Sequence, residues 1–532
     1  MTQGQEVVEA PAPSRPASGR RMPGIARRYH PVALFALAAA WFLYHIDRPG
    51  VWTDEGVTLV VIHRTLRQLW HLWPGNDAPM MPYYLLMKGL RTLADVLRLP
   101  IGDVVLVRSV SGLAMAGAAV ALYLLVRRHS SAVLALATTV TFVAMPGVLR
   151  YAQEARPYAL MMLASAGSWL AWDVNRERRD RRVQAAYVVT VVFGALMHLF
   201  LLAQFAAQVA ASLVEDWRRG ARRPKRFTRT IATLAPLVVS GLIVGIPLGY
   251  IALHGRGVPD RRPMTPSVEL TTLLQTVLNI HVWPVAGTLV LVAAALGAAS
   301  LAWRDRQVLF VLGLWFAIPF LLEAAAGFAQ PNTVRLRYWM ALATPLAAFV
   351  GAGASGIAEL VARTVGRALR RSGTGPVIHR LTVVLTAVAV AVTVLLVLPD
   401  DGYIRGNAGH GAVGATAPVM AIVHTTPNDP VLLVDSQYNG YAFAGYGLHY
   451  VVDNPYATPD PNSRFAWGFR RTPEGFVRAL DGHGTVVFAH IGGTGGATAS
   501  TLRDVARQLT AAGYHRIRVH HAGQWTIMVY GR

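Results

Sequence analysis

Apolar runs separated by short basic stretches recur along the chain as far as residue 398. Runs near 31–46, 104–126, 131–149, 157–173, 184–198, 199–214, 230–252, 283–303, 307–328, 338–361 and 381–398 each predict a membrane-spanning helix. Such a helix needs about 20 mostly apolar residues to cross a hydrocarbon core about 30 Å thick. The count is therefore eleven. The first run, Pro31–Ile46, is short for that thickness, so residues from Ile25 onward extend it. The 184–214 stretch is long for one span and short for two, and is read as a pair. Two other segments, 57–73 and 79–99, mix Leu, Val and Trp with charge: His63, Arg64, Arg67 and His71 in one, Lys88, Arg91, Asp95 and Arg98 in the other. A charge at mid-bilayer costs about 2.5–3.5 kcal/mol on insertion scales, so both are predicted to lie in the membrane interface.

The pattern changes after residue 398. Pro, Gly, Asp and Asn become frequent, and short β-like runs appear at Val431–Val434, Tyr450–Val452, Thr485–His490, Arg516–His520 and Trp525–Tyr530. A helical pattern over 500–512 ends at Gly513. These runs predict a small soluble α/β domain over 399–532. Residues 1–30, rich in Pro, Ala, Ser and Arg, read as a disordered basic leader, and 31–398 as the membrane domain.

Composition narrows the class. Of 532 residues, 53% are hydrophobic and 15% charged, against about 25% charged in soluble domains. The chain has no cysteine, which excludes disulfides, thiolate metal sites and thiol nucleophiles. A net charge of +22 would suggest nucleic acid in a soluble protein. Here it follows membrane topology instead, and no nucleic-acid partner is expected. The connections assigned to the cytoplasm carry 26 Arg and Lys, against 14 on the opposite side up to residue 398. By the positive-inside rule the N-terminus is cytoplasmic and 399–532 extracytoplasmic, in a multi-pass protein of the plasma membrane. Asp54-Glu55, the turn at 150–156 and the loops 254–282 and 329–337 then share the outer face.

Several residues on that face can carry chemistry. Asp54 and Glu55 follow the first span, and a carboxylate at a membrane surface can serve as general base. Neighbours on a helix point about 100° apart, so one of the two faces any common substrate. An ordinary solvated acidic loop is the plainer reading. In Tyr151-Ala-Gln-Glu154-Ala-Arg156-Pro157-Tyr158, Pro157 opens a helix, and Arg156 and Glu154 sit where backbone donors favour an anion. Arg156 suits a phosphate oxygen pair, or snorkels to lipid headgroups. Lys88 and Arg91, one helical turn apart, either hold a lipid phosphate or contact bulk anionic lipid. His198 at an outer turn, and Arg335, Arg337 and Tyr338 before another span, share that ambiguity. Asp77, ahead of Ala78-Pro79-Met80-Met81-Pro82-Tyr83-Tyr84, is a helix cap or a second site carboxylate. The His490-Ile-Gly-Gly-Thr-Gly-Gly496 loop lacks the Walker lysine and the dinucleotide spacing, and reads as a strand–turn–helix linker.

Taken in order, these segments resemble the GT-C membrane glycosyltransferases, in the bacterial branch related to protein O-mannosyltransferases and lipid A aminoarabinose transferases. The residues that carry the resemblance are Trp52-Thr53-Asp54-Glu55-Gly56, Pro79 to Tyr84, Arg108-Ser-Val-Ser-Gly112, Tyr151 to Tyr158, Leu196-Met-His198, and Arg337-Tyr338 before a span with Pro345. They cover roughly residues 30–350. The resemblance implies a GT-C-like helical membrane domain that transfers a sugar, usually with inversion, from a polyprenyl-phosphate carrier to an acceptor hydroxyl at the outer face. It makes Asp54 the base that deprotonates the acceptor. Glu55 then orients the acceptor or a neighbouring cation, and Arg156, with Lys88 as helper, binds the carrier phosphate. Glu154, Asp77, Tyr83, Tyr158, His198, Arg337 and Tyr338 line the substrate site by the same resemblance.

Two departures stand out. Ala78 occupies a position where family members often have His or Lys, and Met81-Pro82 replaces Pro-Pro. A ligand or phosphate contact is then lost or moved to Asp77 or Lys88. Metal use varies across the superfamily, so a divalent cation is an open expectation. Richness in Ala, Arg, Val and Gly suggests a high-GC actinobacterium, where mannosyl or arabinosyl transfer to a cell-wall glycan, lipid or protein is the corresponding expectation. The rival readings are a transporter or flippase, which would want ionisable residues near the bilayer midplane and repeated halves, and a non-catalytic envelope scaffold.

Overall fold

The computed structural model describes residues 24–73, 78–178, 180–218, 228–247, 249–250, 284–329, 336–368, 375–406, 416–428, 430–434, 442–443, 451–452, 457–459, 469–471, 480, 482–491 and 499–532. Asp77, Arg335, the loop 254–282 and the glycines at 492–496 fall outside these residues.

The helices are α1 (Gly24–Leu43), α2 (Thr53–Val61), α3 (Leu66–Trp70), α4 (Met81–Val96), α5 (Asp103–His129), α6 (Ala132–Ala144) and α7 (Pro146–Ala152). They continue as α8 (Tyr158–Arg178), α9 (Arg181–Met197), α10 (Leu201–Arg218), α11 (Thr228–Ser240), α12 (Pro284–Arg304), α13 (Arg306–Ala329), α14 (Ala343–Ala368) and α15 (Gly375–Ile404). Among the described residues, five helices are long and apolar enough to cross a membrane, and the bent pair α6–α7 makes a sixth.

The single span expected over 131–149 is this pair, bent by 64°. Pro146 has no N–H to continue the ladder and opens α7 instead. The 184–214 stretch is two helices, α9 and α10, turning at His198. Helices α8, α9 and α10 carry a polar seam: Gln204 donates to the Ala341 carbonyl at 2.9 Å, Gln208 to Ser168 at 2.9 Å, and Trp172 to Ser212 at 2.8 Å. Hydrogen bonds between helices replace part of the apolar matching there. The segments 57–73 and 79–99 contain the short helices α2, α3 and α4.

Helices α12 and α14 cross with their backbones in contact. A Cβ built on Gly297 would overlap the Phe349 carbonyl, and one on Gly353 the Ala293 carbonyl. Overpacking a tight core costs about 1–3 kcal/mol, and a backbone obstacle leaves little room to relax. Gly297→Val is therefore expected to destabilise the protein by at least that much in denaturant unfolding, whereas Gly313→Val, which meets nothing within 4 Å, should be near neutral.

The C-terminal unit has helices α16 (Ala417–Thr425) and α17 (Ala499–Ala511), with strands β1 (Val431–Val434), β2 (Val451–Val452), β3 (Ala457–Pro459), β4 (Phe469–Arg471), β5 (Thr485–Ile491), β6 (His515–Ala522) and β7 (Trp525–Gly531). The main sheet runs β2-β1-β5-β7-β6, with β2, β1 and β5 parallel and β5, β7 and β6 antiparallel. Strand alternation splits its core in two. Leu432, Val434, Val487 and Ala489 pack with Val419 and Val423 of α16, while Leu433, Val486 and Phe488 pack with Val505 and Leu509 of α17. The β-like runs read from the sequence thus become one sheet between two helices. Gly513, at φ +86°, ends α17 in the left-handed conformation that glycine tolerates.

The last long helix returns to the face where the first one ends. Arg405, just past α15, donates to the Trp41 carbonyl at 2.9 Å and to the Tyr44 carbonyl, and its guanidinium lies 4.6 Å from the Trp41 ring centroid. The C-terminal unit therefore starts on the same face as α2.

Candidate active site

Asp54 and Glu55 occupy the first turn of α2, where the positive end of the helix dipole favours carboxylates. They diverge as helical neighbours must. Glu55 is fully buried and meets Arg108 of α5 in a bidentate pair, Nε to Oε1 at 2.9 Å and Nη2 to Oε2 at 2.8 Å. It also accepts the Ala155 N–H at 2.7 Å and the Trp52 N–H at 3.4 Å. Arg108 spends its other donors on the carbonyls of Ile46, at 3.0 Å, and Pro49, at 2.7 Å. Glu55 is thus an internal tie between α2, α5 and the 153–156 turn. The expected role in orienting an acceptor or cation does not suit a side chain 1% exposed and held by four donors.

The same turn is fixed from two more sides. Gln153 donates to the Phe42 and Tyr44 carbonyls, both at 2.9 Å, capping the end of α1. Ser111 donates to the Glu154 carbonyl at 2.7 Å. So anchored, the turn presents Arg156 to Asp54: Nη2 lies 3.7 Å from Oδ2, and Nη1 donates to the Asp54 carbonyl at 3.3 Å. Arg337 also brings Nη1 to 2.7 Å from the same Oδ2. Its guanidinium also lies 5.3 Å from the Trp52 ring centroid and 5.9 Å from that of Tyr158.

Two guanidiniums against one carboxylate leave a net positive charge. The Nε–H groups of Arg156 and Arg337 are buried with no acceptor among the described residues. Asp54 and Arg337 nevertheless keep 13% and 23% of their side-chain surface exposed. The surrounding wall is aromatic. Tyr158 packs edge-on to Tyr151 at 5.2 Å, His198 edge-on to Tyr338 at 4.5 Å, and Phe200 stacks on Tyr338 at 4.8 Å. Tyr83 is buried, and its hydroxyl has no partner among the described residues.

Glu154 is a different kind of carboxylate. It is fully buried, with Arg150 Nε at 4.0 Å and no hydrogen-bond partner on either oxygen among the described residues. Burial pushes its carboxyl up to about 7, against the pull of Arg150. An unfolded glutamate ionises near 4.5, so the folded state binds more protons between about 4.5 and 7. The contribution of Glu154 to stability therefore falls as pH rises through that window and levels above it. Glu154→Gln is expected to gain stability over the wild type across the window. A difference independent of pH from 4.5 to 7 would contradict this.

The other sequence candidates lie elsewhere. Lys88 donates to the Ile62 carbonyl at 3.3 Å, just past the C-terminal end of α2. Ile62 is eight residues beyond Asp54, about 12 Å at 1.5 Å per residue. Lys88 therefore does not join Arg156, and Arg337 stands in the place expected of it. Arg91 is likewise engaged, with Asp95, with Asp103 at 3.1 Å and with the Ile101 carbonyl at 2.9 Å. Arg108 and Gln153, which no single-residue signal marks as site-building, hold the turn and helix that aim Asp54 and Arg156.

Among the described residues no three metal-ligating side chains lie together. Asp54 faces two arginines and Glu55 is spent on Arg108. That donor set does not suit a divalent cation.

No family model matches the sequence, and no curated protein matches it. Solved structures do. The undecaprenyl phosphate-bound form of ArnT from Cupriavidus metallidurans superposes with a TM-score of 0.55 at 14% identity, over 94% of this chain and 97% of that one. Its apo form gives 0.55 at 13% identity, over 95% and 98%. The Archaeoglobus fulgidus oligosaccharyltransferase, tethered to an acceptor peptide, reaches 0.43 at 11% identity, over 87% of this chain and 70% of that one, below the level at which a shared fold follows. The fold is shared with ArnT, and the similarity runs over nearly the whole of both chains.

Proposed function

We propose that the chain is a GT-C-type glycosyltransferase that moves a sugar from a polyprenyl-phosphate carrier to an acceptor hydroxyl at the outer face of the plasma membrane. The observation that carries this reading is the pairing of Arg156 and Arg337 on Asp54, with net positive charge and two idle Nε–H donors. Sugar transfer from a phosphate breaks the anomeric C–O bond and leaves the electron pair on a phosphate oxygen. That leaving group needs positive charge and N–H donors more than a proton, which two arginines supply. On the other side of the anomeric carbon, Asp54 accepts the proton of the attacking hydroxyl as the new C–O bond forms. Attack opposite the leaving group inverts the anomeric centre. The ArnT structure bound to undecaprenyl phosphate supports the carrier class by fold.

The finer features belong to the same proposal. The chain crosses the membrane eleven times from a cytoplasmic N-terminus, with domains at 31–398 and 399–532 and the second of these extracytoplasmic. Its sugar is mannose or arabinose, and its acceptor a cell-envelope glycan, lipid or protein. Support comes from the basic bias of one set of connections and from the Arg405 tie, which returns α15 to the face of Asp54.

Titration with undecaprenyl phosphate tests the phosphate assignment. Trp52, against the Arg337 guanidinium, is a built-in fluorescence reporter. A charge-assisted hydrogen bond contributes about 1.5–3 kcal/mol, so Arg156→Ala or Arg337→Ala is expected to weaken binding about 10- to 100-fold. Unchanged affinity in both would overturn the assignment.

A further inference from the structure

Behind the aromatic wall lies a cavity of about 290 Å³ lined by Leu199, Phe200, Leu202, Ala203, Leu322 and Glu323. Five of these residues are apolar. The sixth is a carboxylate 1% exposed, set in helix α13, which has no other charged side chain past Arg306. Its Oε2 has no hydrogen-bond partner among the described residues. An acidic side chain within a span is costly, and such residues mark binding or transport paths by default. Nothing in the Asp54 site uses this one.

We propose that this cavity binds a membrane lipid that carries a hydrogen-bond donor, a hydroxyl, beside its apolar chain. The apolar walls select a hydrocarbon occupant, and Glu323 selects within that class. A plain alkyl or isoprenoid chain would leave the buried carboxyl unpaired, which is unfavourable. An anionic headgroup would meet a carboxyl with no cation among the described lining residues. A hydroxyl both satisfies Oε2 and tolerates the walls. Access is from the bilayer side: Leu321 and Leu322, next to Glu323, are 62% and 48% exposed. The volume is close to the lower end of small-ligand pockets, about 300 Å³, and fits one chain segment with its hydroxyl rather than a whole lipid.

The cavity touches the active site without being part of it. Phe200 lines the cavity and stacks on Tyr338 at 4.8 Å, and Tyr338 adjoins Arg337, the partner of Asp54. An occupant therefore presses on the back of the ring that stands beside Arg337.

The full-length protein in lipid nanodiscs, labelled with diazirine-bearing hexadecanol, hexadecane or hexadecyl phosphate and mapped by mass spectrometry, tests the proposal. The alcohol is expected to label peptides of 199–203 and 321–323 about tenfold more than either of the others, the factor that about 1.4 kcal/mol supplies. Glu323→Leu should lose this preference, and Glu323→Gln, which still offers a carbonyl acceptor, should keep most of it. Ala203→Phe fills the cavity while leaving the carboxyl, and should abolish labelling, so the result does not depend on the folding of a Glu323 variant. Equal labelling by the alkane, preference for the phosphate, or alcohol labelling that survives Ala203→Phe would overturn it.

Discussion

Arg108→Leu is expected to unfold the part of the protein around Asp54. Arg108 is fully buried and joins the Glu55 carboxylate to the carbonyls of Ile46 and Pro49. Removing one partner of a buried ion pair leaves the other uncompensated, at about 3–5 kcal/mol. Three elements lose their common tie at once: the chain leading out of α1, the start of α2, and the 153–156 turn that Glu55 holds through the Ala155 N–H. Unfolding in denaturant or by heat measures the loss. The double variant Glu55→Leu with Arg108→Leu is expected to recover part of it, because neither charge is then stranded. A single variant as stable as the wild type would show that the pair does not hold the site together.

The second large effect falls on chemistry and leaves the fold alone. Asp54→Asn should lower sugar transfer by about 10²- to 10⁴-fold, the usual contribution of a positioned general base. The change is isosteric, at a side chain 13% exposed, so stability should move little. It also lifts one negative charge from between Arg156 and Arg337, so affinity for undecaprenyl phosphate is expected to stay level or rise. Base loss and phosphate-site loss therefore separate cleanly: Asp54→Asn lowers turnover with binding kept, and Arg337→Ala lowers binding. Transfer that survives Asp54→Asn at wild-type rate would place the base elsewhere. Glu154 is then the nearest unspent carboxylate on the 153–156 turn.

How far the sequence carries this account depends on the range of each interaction. Helices, the strands of the C-terminal sheet and the end of α17 at Gly513 follow from local pattern. So does the divergence of Asp54 and Glu55, since adjacent helical positions cannot face one target. Which acid turns inward is not local, because Arg108 lies 53 residues away on another helix. Arg337 is recognisable as an arginine just ahead of an apolar run, but its contact with Asp54 joins residues far apart in the chain. Lys88 shows the converse failure. Its place on a charged interfacial helix suggests a phosphate contact, yet α2 runs so that the lysine meets the Ile62 carbonyl instead. The bend between α6 and α7 was readable at Pro146, whose missing N–H breaks a helix within a single apolar run.

Sugar transfer from a phosphate carrier at the Asp54–Arg156–Arg337 cluster is open to direct measurement. Purified full-length protein in lipid vesicles, given radiolabelled undecaprenyl-phosphate mannose or arabinose with envelope glycan acceptors, tests it most directly. Acceptor labelling by the wild type is expected, with inverted anomeric configuration, and about 10²- to 10⁴-fold slower labelling by Asp54→Asn. Folded wild type that binds undecaprenyl phosphate yet labels no acceptor from either donor would contradict the transferase reading, and retained anomeric configuration would contradict the assigned role of Asp54.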